Sequence, residues 1–138
     1  MLEKSLIPFL VIEDDEIDIM NFKRAYTKIH AINPLHFARS GEEALEIIHG
    51  NKIAKPFALV VDLNMPLLGG HELIRRVKGL SDYFGTPIFV LTTSSMEADK
   101  KEAWELRVNG YFLKELAADS YARKIKAMVD FVNGAEWE

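Results

Sequence analysis

Phe57-Ala58-Leu59-Val60-Val61-Asp62-Leu63-Asn64-Met65-Pro66 decides the fold. Apolar residues run unbroken to Val61, a carboxylate follows at once, and a proline sits in the loop behind it. A strand with one face in water alternates apolar and polar residues. An unbroken apolar run reads instead as a strand covered on both faces, which is the habit of parallel sheets.

Working outward, the same kind of run recurs at Ile7 to Ile12, Leu35 to Ala38, Ile88 to Thr92 and Tyr111 to Leu113. Pro8, Pro34, Pro56 and Pro87 each stand at or just before the start of a run. Proline has no N–H to give a ladder, so it can begin a buried strand but not occupy its middle.

Helical spacing fills the gaps. Ile19, Phe22, Tyr26 and Ile29 share one face by three-and-four spacing. Ser40 with Glu43 predicts a capping box for a second helix. A third is expected from about Gly70 to Gly79, with Leu73, Ile74 and Val77 inward, and a fourth from about Met96 to Val108, with Ala103 and Leu106 inward. The last is expected from about Ala118 to Asn133, on a stripe of Tyr121, Ile125, Met128 and Val132. Strands alternating with helices predict an α/β fold: a (βα)5, doubly wound, five-stranded parallel sheet.

The bulk properties agree with one domain. The chain has 138 residues, 49% of them apolar and 28% charged, enough for a substantial core. A net charge of -4 argues against a nucleic-acid partner, which needs a basic face. With no cysteine, disulfides, thiolate metal sites and cysteine nucleophiles are excluded, and a cytoplasmic location is favoured. Met1 to Pro8 does not read as a signal peptide, and no apolar stretch approaches a membrane span.

In doubly wound sheets the chemistry gathers at the carboxyl ends of the strands. Here those ends carry Glu13-Asp14-Asp15, then Asp62 and Asn64, then Thr92 and Thr93, then Lys114, while the second strand ends in nothing comparable. Asp15 has two readings, a third acid of the site or simply a helix cap. Glu13, Asp14 and Asp62 would converge. Two carboxylates about 4 Å apart repel by roughly 4 kcal/mol at an effective dielectric of ~20. Either one stays protonated or a cation sits among them. Oxygen donors without His or Cys suit a hard ion, Mg2+ above all. A carboxylate can attack phosphorus to give an aspartyl phosphate, with metal and ammonium neutralising the transferring oxygens. Lys114 supplies the ammonium and Thr92 a hydroxyl. His30, His36, His49 and His71 show no ligand spacing and read as surface or helix-end residues, and no glycine-rich nucleotide loop appears.

At these residues the chain resembles the receiver domain of two-component response regulators. The resemblance runs from about Ile7 to Val132 and rests on four stretches: Phe9 to Asp15, Val60 to Pro66 with Gly70 to Leu73, Leu91-Thr92, and Tyr111 to Lys114. It implies a flavodoxin-like receiver fold in which Asp62 accepts a phosphoryl group from a histidine kinase. Glu13, Asp14, Asp62 and the backbone carbonyl of Asn64 would hold Mg2+ or Mn2+, Lys114 and Thr92 would contact the phosphoryl oxygens, and Tyr111 would change rotamer as Thr92 moves. The family's usual proline after the lysine is replaced by Glu115. Because the chain ends soon after its last helix, it is expected to be one receiver over residues 1–138, with a core of about 7–132 and no output domain. It would then signal through a downstream protein or a histidine phosphotransfer partner, and not as a turnover enzyme. Leu91-Thr92-Thr93-Ser94 and Val108-Asn109-Gly110-Tyr111 are similar to stand-alone receivers paired with phytochrome-like kinases.

Trp104, Val129 and Phe131 lie off the inward stripes of the last two helices. They are read either as core margin or as the face of a homodimer through the fourth helix, fifth strand and fifth helix. Three competing functions are weighed. A phosphatase using Asp62 would want an acid two residues on, where Asn64 stands. A degenerate receiver acting only as a binding module would have lost an acid or the lysine, and none is lost. A flavin site would need a phosphate loop where three acids stand.

Overall fold

The computed structural model describes residues 6–80, 85–114 and 117–134. The strands are β1 (Phe9–Ile12), β2 (Leu35–Ala38), β3 (Ala58–Val61), β4 (Ile88–Thr92) and β5 (Gly110–Leu113). The helices are α1 (Glu16–Lys28), α2 (Gly41–His49), α3 (Gly70–Lys78), α4 (Glu97–Glu105) and α5 (Ala118–Gly134). All pairings are parallel, as expected for a doubly wound sheet, and the strands lie in the order β2-β1-β3-β4-β5. β1, β3 and β4 are buried throughout, whereas the edge strands β2 and β5 are mostly half-buried.

The prolines work as the sequence suggests. Pro8, Pro34 and Pro87 present their carbonyls to N–H groups in the first two residues of neighbouring strands: Ala58 N to Pro8 O, Phe9 N to Pro34 O and Leu59 N to Pro87 O, at 2.8–2.9 Å. Each therefore opens the ladder as an acceptor, the one ladder role a residue without an N–H can fill.

Strand alternation sorts the core into two layers. Leu10, Ile12, Leu59, Val61, Ile88 and Val90 pack with α2, α3 and the end of α4. Phe9, Val11, Ala58, Val60, Phe89 and Leu91 pack with α1 and α5. The same parity governs β5. Tyr111 leans on the first layer and Phe112 on the second.

Several expectations need correction. Val129 is not off the stripe of α5, since it is buried in the α1–α5 layer, on the edge of the same face as Ile125 and Val132. Phe131 and Trp104 are exposed as expected, although Phe131 also meets Phe89 edge-on at 5.7 Å. α4 stops at Glu105, short of Val108, because Leu106 caps it and Arg107 takes a left-handed φ of 62°. The capping box is half formed. Ser40 Oγ accepts from Glu43 N at 3.0 Å, but Glu43 reaches past Ser40 to the N–H of Arg39. His36 lies half-buried on the edge strand β2, within the run expected to be a strand.

Candidate functional site

Asp15 resolves toward its structural reading. Its backbone is extended and its carboxylate accepts from Ile17 N and Asp18 N at 2.9 and 3.0 Å, so it is the N-cap of α1. That leaves Glu13 and Asp14 as the acids of the first loop. Glu13 is buried and Asp14 exposed, and each offers an oxygen to a cluster with Asp62 in which the three atoms lie within 4.8 Å of one another.

Asp62 is placed by its own loop. Its Oδ1 accepts from Asn64 N at 3.2 Å, and Gly70 N donates to Leu63 O at 3.3 Å, folding the loop back onto the start of α3. Only glycine fits that return, because a Cβ at residue 70 would stand 2.5 Å from Asp62 O and 2.8 Å from Leu63 Cα.

Lys114 continues the β5 ladder, its N–H donating to Thr92 O at 2.8 Å. It shares the parity of Phe112, so its side chain runs on the α1–α5 side. There its ammonium meets Glu13 Oε2 at 2.6 Å, Asp18 Oδ2 at 2.7 Å and Asp62 Oδ2 at 3.3 Å. An ammonium has three N–H groups, and here each has a carboxylate.

The charges respond to this crowding. Burial, with the neighbouring Asp62 charge adding to it, pushes the Glu13 carboxyl up to about 7 even though Lys114 opposes the shift. Burial alone would pull the Lys114 ammonium down, but the hydrogen bonds to Asp18 and Glu13 outweigh it and hold it above its ordinary value. Carboxylates held this close repel one another, which favours a cation among them. Oxygen donors of this kind fit a hard divalent ion.

Thr92 is fully buried, and its hydroxyl is linked to the cluster through Asn64, whose amide donates to its Oγ1 at 3.4 Å. Thr92 Oγ1 also accepts from Ser94 N at 3.3 Å. The Tyr111 hydroxyl donates to Ser94 O at 2.8 Å, so the tyrosine is tied to the loop after β4. The structure thus brings Glu13, Asp14, Asp62 and Lys114 together and sets Thr92 and Tyr111 as a second group one residue away. Asp18 escapes the sequence reading. Its only signal is its place three residues after the cap Asp15, in the first turn of α1 facing the acid loop. The Lys114–Glu115 bond lies outside the described residues.

Residues 9–126 match the family model of the response regulator receiver domain. The chain is 26% identical over 129 residues to the probable methanogenesis regulatory protein FilR2 of Methanothrix harundinacea, covering 90% of this chain and 83% of that protein. It is 28% identical over 131 residues to the response regulator Rcp1 of Synechocystis sp., covering 92% and 84%. The solved structure of the bacteriophytochrome response regulator AtBRR superposes with a TM-score of 0.75 at 28% identity, covering 98% of this chain and 97% of that one. The match takes in the acid loop, the Asp62 loop and the lysine end of β5, and it shows that the chain belongs to the response regulator receiver family.

Proposed function

We propose that this chain is a phosphoacceptor, which takes a phosphoryl group from a histidine kinase onto Asp62 in a magnesium-dependent reaction. The observation that carries the reading is the Lys114 ammonium 3.3 Å from Asp62 Oδ2, inside a cluster of three carboxylates. Glu13, Asp14 and Asp62, with the Asn64 carbonyl, would hold the ion; Mg2+ or Mn2+ there supplies positive charge to the transferring oxygens. Asp62 is the nucleophile, Lys114 offsets charge on the transferred group, and Asn64 cannot act as an acid or base, which supports a signalling acceptor over a turnover enzyme.

The switch follows from the second group. A phosphoryl group on Asp62 brings about two negative charges and new acceptor oxygens. If the Thr92 side chain reorients so that its hydroxyl donates to them, the bond it accepts from Ser94 N shifts with it. Ser94 is also the anchor of Tyr111, so the loop after β4 and the tyrosine respond as one unit. That movement would reshape the face of α4, β5 and α5 for a downstream protein or a histidine phosphotransfer partner.

The likeness to the bacteriophytochrome response regulator AtBRR favours a phytochrome-like kinase as the phosphodonor. Among the described residues no helix is long and apolar enough to cross a membrane, which accords with a cytoplasmic site of action.

Intact mass after incubation with acetyl phosphate tests the core of this reading. We expect a gain of one phosphoryl group that needs magnesium and disappears in Asp62→Asn. Labelling of Asp62→Asn, or none of the parent beside a labelled control receiver, would remove it.

A further inference from the structure

Lys114 has one carboxylate partner that belongs to no part of the acid cluster. Glu13 and Asp62 approach its ammonium from within the cluster, and both side chains are 7% exposed. Asp18 approaches from the first turn of α1, is 32% exposed, and makes one of the two short contacts, at 2.7 Å. Its backbone is fixed, since Asp18 N donates to the cap carboxylate of Asp15. Helix capping therefore delivers this carboxylate to a set place, where Lys114, on the α1–α5 side by strand parity, meets it.

Glu13 has no such freedom. Its Oε1 already accepts from Asp15 N at 3.1 Å, and its Oε2 is the oxygen that holds Lys114. If Glu13 gives Oε2 to a divalent cation, the ammonium keeps only Asp62 at 3.3 Å and Asp18 at 2.7 Å. Without Asp18, a largely buried ammonium would depend on the longest of its contacts, or would stay on Glu13 and compete with the cation. A buried charge short of partners does not hold its place.

We propose that Asp18 is a positioning residue, which anchors the Lys114 ammonium beside Asp62 from outside the acid cluster and so frees Glu13 for a divalent cation. The inference rests on the magnesium reading above. Asp18 touches neither the cation nor the phosphoryl group and acts through Lys114.

The test compares the parent with Asp18→Asn, Asp18→Glu and Glu16→Gln. Glu16 lies in the same turn and pairs with Arg39, so its variant removes an equal charge without touching Lys114. The Lys114 side-chain ammonium is followed by NMR, where it is visible only while hydrogen-bonded, before and after adding magnesium chloride. Magnesium affinity is measured by calorimetry, and labelling by acetyl phosphate is timed. In the parent and in Glu16→Gln the ammonium signal should persist with magnesium. In Asp18→Asn it should be present without magnesium and lost with it, magnesium should bind more weakly than to Glu16→Gln, and labelling should slow roughly tenfold or more, in line with the cost of misplacing a reacting group. Asp18→Glu should restore part of each. An Asp18→Asn protein that keeps its ammonium signal in magnesium and labels as fast as Glu16→Gln would overturn the proposal. A parent that binds magnesium but takes no phosphate would remove the phosphoacceptor reading, and the NMR arm would still decide the role of Asp18. A parent that binds no magnesium would overturn both the metal reading and this one.

Discussion

Lys114 is the residue on which the site's charge balance turns. Its ammonium is the only cation seen among Glu13, Asp18 and Asp62 in the described residues. Removing one partner of a buried ion pair costs about 3–5 kcal/mol, because the remaining charges are stranded. Lys114→Met should therefore lower the unfolding free energy of the metal-free protein, measured by urea titration, by an amount on the order of 3 kcal/mol, discounted for the half-exposed Asp18. The same variant should gain more stability from magnesium than the parent does, since the competing ammonium has gone. Equal magnesium gains in the two proteins would show that Lys114 does not occupy the cation's ground. The residue identities of this site were all legible in the sequence except Asp18. Glu13, Asp14, Asp62 and Lys114 stand directly after strand ends, where a parallel sheet must bring them to one edge. Asp18 stands inside a helix, where an acid in the first turn is so common that nothing distinguishes one that faces a lysine 96 residues away.

The elements bring these residues together, and two contacts between elements can be tested. α3 begins against the Asp62 loop, and Gly70 is what permits the approach. Gly70→Ala should cost about 1–3 kcal/mol, as overpacking against backbone does, and should slow acetyl phosphate labelling by displacing Asp62. An alanine variant with parental stability and labelling would show that the loop yields freely. α1 is tied to the start of the sheet by Tyr26, whose buried hydroxyl donates to Asn33 O at 2.8 Å, while Asn33 Nδ2 donates to Ile7 O at 2.8 Å. Burial pushes the Tyr26 hydroxyl up to about 12 from an ordinary 10.0. The folded state thus keeps this proton more tightly than the unfolded chain. The stabilisation is complete below about 10 and is lost as pH rises through about 12. Tyr26→Phe should cost about 1–2 kcal/mol at neutral pH and leave a stability curve flatter than the parent's across that alkaline window. Curves that stay parallel would mean that Tyr26 titrates alike in both states. Helix stripes and strand runs were legible here because burial on both faces of a sheet leaves a continuous apolar signature. The end of α4 was not, since Arg107 in the left-handed region carries no residue signal of the kind glycine would give.

For the molecule as a whole, the open question is what covers the face of α4, β5 and α5. Trp104 is 53% and Phe131 45% exposed there, while Val129 is withdrawn into the core. A homodimer through this face should sediment as a dimer at high concentration, more so with a phosphate mimic, and Trp104→Ala with Phe131→Ala should return it to monomer. A parent that stays monomeric under both conditions would count against the dimer. The amino-acid sequence by itself determined the number and type of the elements, the parallel sheet and the edge at which the acids and the lysine gather. Each of these depends on local period, proline placement or position relative to a strand end. Only the tertiary structure decided the strand order β2-β1-β3-β4-β5, the burial of Val129, the assignment of Asp15 to the cap and the meeting of Lys114 with Asp18. Those depend on which element becomes the neighbour of which, and a side chain shows its partner only when the distant element that carries it has been packed alongside.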